Sequence, residues 1–213
     1  MANAPKLRTI SNFKTALAGG AARPNLFEVS IPNLPDTFKG QGLAWDDESF
    51  RFMAKAAALP ASNIAQIEIP FRGRTLKVAG DRTFDVWTVT IINDENFRLR
   101  TAFELWMNGI SKLDNNTGST NPGAYMCDAY VHQLGRGEKA ESRSNYEAAG
   151  AQGETGVTPL RSYKFYDIFP TNVSQIDLSY DTSDTIEEFT VDFQVQYWEA
   201  GGDSGDQIGV PVK

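Results

Sequence analysis

From Phe189 to Tyr197 the chain alternates without a break: Phe189, Val191, Phe193, Val195 and Tyr197 are apolar, and Thr190, Asp192, Gln194 and Gln196 between them are polar. A period of two puts all the apolar side chains on one face of a strand. One dry face and one wet face is the pattern of an antiparallel sheet packed on one side only. Whatever this chain folds into must bury that dry face against another layer.

The rest of the sequence repeats the theme. Asn25–Ile31 alternates and is closed by Pro32 and Pro35. Phe50–Leu59 reads as extended up to Pro60, and Ile64–Val78 as a hairpin turning near Arg72–Gly73–Arg74. Gly80–Asp81–Arg82 reads as a second turn. Phe84–Ile92, Tyr125–Leu134, Leu160–Phe169 and Ser174–Tyr180 read as further strands, Pro170 ending the third of these. One segment has helical period: Leu99, Phe103, Trp106 and Ile110 form a single apolar stripe over about 94–110, with Asn93 or Asp94 as cap. A short N-terminal helix is capped by Ser11, with Phe13 and Leu17 a turn apart. Polar segments at 36–49, 111–123 and 135–158 and a C-terminal tail at 200–213 read as loops or insertions in a single domain spanning 1–213. About eight strands that do not alternate with helices predict a mainly β antiparallel sandwich or barrel with one appended helix. Trp87 and Trp106 are expected in its core.

Chemistry is sparse. The one histidine, His132, is expected on the solvent side of its strand. The one cysteine, Cys127, shares phase with Tyr125, Ala129 and Val131, so the two should point to opposite faces. No nucleophile elbow, P-loop or dinucleotide glycine fingerprint is present. One cysteine and one histidine leave no zinc set, and the acidic clusters lack calcium-loop spacing. Catalytic residues, metal and cofactors are therefore expected to be none. Asn115 and Asn172 sit in sequons that carry meaning only on a secretory path. With 20 Lys+Arg against 27 Asp+Glu the net charge is −7, which opposes a phosphate-gripping surface. No apolar run approaches the roughly 20 residues that span a bilayer. Met1–Thr9 has no apolar signal centre, and the lone cysteine fits a reducing compartment.

Four stretches resemble the tail tube protein of T4-like contractile-tailed bacteriophages. They are Ala22–Val29, Ala58–Ala61, Val78–Glu95 and Phe169–Val173, the last followed by the strand ending Tyr197–Trp198–Glu199. They occur in the family's order, and the run from Val78 to Glu95 is the specific one. The resemblance implies a structural virion protein, not an enzyme, with a fold shared with type VI secretion tube proteins. It implies hexameric rings stacked into the inner tube of a contractile tail. That tube is the conduit for genome ejection and is assembled in the host cytoplasm. The implied partners are further copies of the chain, the tail sheath protein outside, and the tape measure protein and DNA in the lumen. Baseplate and tail terminator proteins would sit at its ends.

Within that frame Arg23, Asn25, Asp81 and Arg82 are candidate contacts between subunits or rings. For the charged ones, intramolecular turn contacts are the alternative. The wet-face residues Asp192, Gln194 and Gln196 are lumen candidates, the alternative being that they face solvent or the opposite sheet. A carbohydrate- or ligand-binding β-sandwich is the competing function. It would need exposed loop aromatics, for which Trp45 and Tyr146 are the candidates.

Overall fold

The computed structural model describes residues 9–17, 21–35, 45–135, 159–181 and 183–202. The expected insertion at 135–158 lies outside this set beyond Gly135, as do 36–44, Tyr146 and the tail from 203 onward.

Strands β1 (Phe27–Ser30), β2 (Ala54–Ala57), β5 (Trp87–Ile92), β6 (Cys127–Leu134), β7 (Pro159–Val173), β8 (Glu188–Gln194) and β9 (Tyr197–Gly202) form one antiparallel sheet, bent into two halves. The bend lies in β7. Its first part pairs with β6 and β9, and its last residues, Phe169–Val173, pair with β8. Asp167, at the changeover, has φ +52°, a left-handed kink that redirects the strand. One half then runs β1-β6-β7-β9 and the other β7-β8-β5-β2. The mainly β antiparallel architecture read from the sequence is the one observed.

Strict alternation in β5 and β8 sends Trp87, Val89, Ile91, Phe189, Val191 and Phe193 inward, all at most 1% exposed. Trp87 stacks on Phe165 of the other half at 4.7 Å between ring centres and lies 5.2 Å from Phe193. Helix α3 (Arg98–Ile110) closes the open side, burying Leu99, Ala102, Phe103 and Trp106. Phe103 meets Phe193, Phe189 and Phe50 edge-on. The Trp106 indole N–H donates to the Tyr125 carbonyl at 2.8 Å. Trp87 and Trp106 are thus core residues, as read.

Several boundaries differ from the sequence reading. Residues 50–53 are helical: α2 (Asp47–Met53) starts at Asp46, whose carboxylate accepts from the Ser49 amide at 3.2 Å. Two acids in its first turn favour the helix, and only Ala54–Ala57 are strand. Helix α1 (Ile10–Ala16) is capped by Thr9 rather than Ser11. Helix α3 starts at Arg98, with the Asp94 carboxylate accepting the Arg98 amide. Pro170 does not end β7; it sits beside a bulge, where its missing N–H is tolerated. Ser174–Tyr180 alternates, but after the bonds between Ser174 and Thr190 it forms no ladder among the described residues and is no strand. The chain breaks at Val195–Gln196 between β8 and β9, and β9 extends to Gly202, into the segment read as tail.

Candidate functional site

The most conspicuous surface is a hairpin standing apart from the sheet. Among the described residues, strands β3 (Ser62–Phe71) and β4 (Arg74–Phe84) pair only with each other. Arg72 (φ +43°) and Gly73 (φ +80°) join them, the two-residue connection with both φ positive that matches strand twist. Register pairs Ile67 with Val78 and Ile69 with Leu76 on one face, and Glu68 with Lys77 on the other. The polar face closes its own ion pair, Lys77 Nζ to Glu68 Oε1 at 3.5 Å. The described residues leave much of the apolar face bare: Ile67, Ile69, Phe71 and Leu76 are 46–68% exposed. Among the described residues neither outer edge of the hairpin is paired.

Asp81 and Arg82 lie in β4, not in a turn. Ile64 pairs with Arg82 and Gln66 with Ala79, so Gly80 and Asp81 together face Ala65 in a bulge. A Cβ on Gly80 would stand 3.1 Å from the Ala65 carbonyl oxygen and 3.3 Å from Ile67 Cγ1, which explains a glycine there. Among the described residues no ion pair engages Arg23, Asp81 or Arg82. The Arg23 carbonyl accepts from the Leu26 amide and from Gln133 Nε2 at 2.7 Å, tying that turn to β6. The Arg23 and Asn25 side chains are exposed.

A second surface is the outward face of β5 and β8. Asp192 accepts from Thr88 Oγ1 at 2.7 Å and from Asn172 Nδ2 at 3.0 Å. Thr90 and Thr190 face each other in the next register pair. Gln194 shares this face; Gln196 sits at the bend before β9. Lys55 at the border is ion-paired with Glu188. The result is a short-chained, hydroxyl-rich face carrying a held carboxylate.

Two residues with possible chemistry are placed differently from the sequence reading or are inert. His132 is buried, not on the solvent side: it is 6% exposed, with Nδ1 2.8 Å from Ser162 Oγ. Helix α2 covers this side of β1, which the extended reading of Phe50–Leu59 missed. Asp47 accepts from the Ser30 hydroxyl, the Ile31 amide (2.7 Å) and Arg51 Nε (2.8 Å), and Arg51 also holds Glu28 at 2.9 Å. Burial and then the Arg51 charge lower the His132 pKa to about 4. Burial pushes the Cys127 thiol far up, away from a thiolate. No group of three or more metal-ligating side chains occurs among the described residues. Trp45 is no exposed loop aromatic: its indole N–H donates to the Ile31 carbonyl and its ring packs on Phe50 and Phe103. The ligand-binding alternative thereby loses Trp45; Tyr146 lies outside the described residues.

An uncapped hairpin on a bent antiparallel sheet invites comparison with known assemblies. The sequence profile of the phage tail tube protein family matches residues 22–200. The chain belongs to the phage tail tube protein family. Tail tube protein gp19 of Enterobacteria phage T4 is 34% identical over 182 residues, 85% of this chain and 93% of that protein. The tail tube protein of Serratia phage KSP90 is 24% identical, covering 92% of this chain and 98% of its own length. Among solved structures, a chain of the PVC sheath–tube complex of an extracellular contractile injection system, in its extended state, superposes with a TM-score of 0.55. Its identity is 13%, covering 91% of this chain and 98% of that chain. Tail tube membership agrees with the resemblance carried by Val78–Glu95, a run that covers much of β4 and all of β5.

Proposed function

We propose that copies of this chain, each acting as one tube domain, close into hexameric rings that stack into the inner tube of a contractile tail. The observation that carries the reading is the β3–β4 hairpin. An amphipathic hairpin whose apolar face and edges are both bare is a hazard in a monomer. It is a joint in a polymer of identical subunits, because each neighbour can cover the face and pair the edge. Among the described residues the outer edges of β1, β2 and β9 are likewise open to pairing. Arg23, Asn25, Asp81 and Arg82, exposed and without ion pairs among the described residues, are the proposed polar contacts between subunits or rings.

The hydroxyl-rich face around Asp192 and Gln194, with Gln196 at its end, is the proposed lumen wall. DNA adheres to basic surfaces through counterion release. A wall of threonines with a fixed carboxylate gives phosphates no such hold, so a genome can slide. In this reading the tube holds the tape measure protein and then DNA. The sheath surrounds it, baseplate and terminator proteins bound it, and assembly occurs in the host cytoplasm. The subunit performs no catalysis. Electron microscopy of the purified chain tests the reading: hexameric rings or hollow tubes are expected, whereas dispersed monomers at every concentration, even with baseplate supplied, would overturn it.

A further inference from the structure

Two exposed apolar surfaces of this chain carry opposite charge. The first is the hairpin tip. Phe71 and Leu76 are 68% and 59% exposed, and Arg72, Arg74 and Lys77 lie among them with no acid between Phe71 and Lys77. Lys77 is held by Glu68 on the opposite face. Arg72 only overlies the Phe71 ring, 5.5 Å from its centre. Neither Arg72 nor Arg74 has a carboxylate partner among the described residues.

The second is a groove of about 740 Å³ between the chain legs 175–180 and 185–188, at the start of β8. That volume is within the roughly 300–1,000 Å³ of clefts that enclose a ligand several side chains in size. Ile176, Leu178, Tyr180 and Ile186 line it, and Leu178, Tyr180 and Ile186 are 84%, 107% and 71% exposed. From Ser174 to Glu188 the sequence has Asp177, Asp181, Asp184, Glu187 and Glu188 and no cation. Glu187 accepts from Asn93 and Glu188 pairs with Lys55. Asp177, Asp181 and Asp184 have no cationic partner among the described residues.

We propose that the basic hairpin tip of one copy seats in the acidic apolar groove of a second copy. The proposal rests on the self-assembly reading and names its joint. In a chain of net charge −7, copies repel one another on average. A contact between them is favoured where cationic and anionic patches meet, and apolar area beneath supplies the adhesion. The hairpin projects away from the sheet, so its tip is free to reach outward. Phe71 and Leu76 then lie against Leu178 and Ile186 inside the groove, and Arg72 and Arg74 face Asp181 and Asp184 at its rim, between the two legs.

Charge swapping in the full chain tests this. The hairpin variant R72E/R74E and the groove variant D181K/D184K alter exposed side chains, so each should melt like the parent. Sedimentation is read at low salt. Each variant alone should need about tenfold more protein, or greater, to assemble, because like charges now meet. Mixing the two variants should restore assembly, since each then meets a complementary partner, and so should combining all four changes in one chain. The proposal is overturned if either variant assembles as the parent does, or if neither the mixture nor the combined variant recovers. In those outcomes the tube reading stands and the groove serves some other partner. A parent chain that never leaves the monomer overturns both.

Discussion

Acid should loosen this fold through one residue, His132. Its ring, carried on β6, is buried 2.8 Å from Ser162 Oγ of β7. Arg51 faces it from α2. Glu28, its register partner on β1, is held by that same arginine and so offers the ring little compensation. On its own strand Tyr130 stacks parallel at 6.2 Å. The pKa falls from 6.5 to about 4, through burial first and the Arg51 charge second. In the unfolded chain the imidazole takes its proton near 6.5; in the folded protein it resists until about 4. Between those values the unfolded state binds more protons, so stability falls as pH drops. The depression of about 2.5 at roughly 1.4 kcal/mol each gives about 3 kcal/mol lost between pH 7 and pH 4. Carboxylates also protonate in this range, so the comparison is with His132→Gln, which retains a group able to bond Ser162. Urea unfolding of both proteins at pH 7 and pH 4 isolates the histidine. The parent should lose about 3 kcal/mol more than the variant. Parallel losses in the two proteins would refute the assignment of a buried neutral imidazole.

Replacing Ile69 by Asp should cost the monomer no more than about 1 kcal/mol, the span of strand propensity, since the side chain is 46% exposed, yet abolish assembly; calorimetry and light scattering together read both. Phe103→Ala should cost about 3–5 kcal/mol in urea unfolding, because it removes the ring on which Trp45, Phe50, Phe189 and Phe193 converge. Asp192→Lys should slow genome delivery by infecting particles at low salt, while Asp192→Asn, which keeps partners for Thr88 and Asn172, should deliver normally; equal delivery by both would count against the lumen wall.

The legible part of the fold was the part in which side-chain period and burial coincide. β5, β8 and the stripe of α3 each pack one face against one core, so alternation or helical spacing named the buried residues. Where a segment's partner decides its state, period misled. Phe50–Met53 alternates, but the Asp46 cap and the Asp47 contacts with Ser30 and Ile31 stabilise a helix there. Ser174–Tyr180 alternates equally well, yet it leaves β8 after the Ser174–Thr190 bonds and builds no ladder among the described residues. Pro170 and Gly80 read as breaks because both break regular ladders, yet bulges absorb them inside long strands. His132 reads as solvent-facing because an extended Phe50–Met53 puts no helix beside β1, where Arg51 of α2 holds Glu28, the histidine's register partner. The proposed assembly surface is partly visible: Ile67, Ile69, Leu76 and Val78 read as a hairpin, but nothing in their spacing says that the described residues leave its apolar face exposed. That follows only from the hairpin standing clear of the sheet.

Hydrogen exchange of the β3–β4 amides, compared between free subunits and assembled tubes, bears most directly on the claim that neighbours complete what this fold leaves open. Slowing across Ser62–Phe71 and Arg74–Phe84 on assembly is the expected result. Tubes in which those amides exchange as fast as in the isolated chain would contradict it.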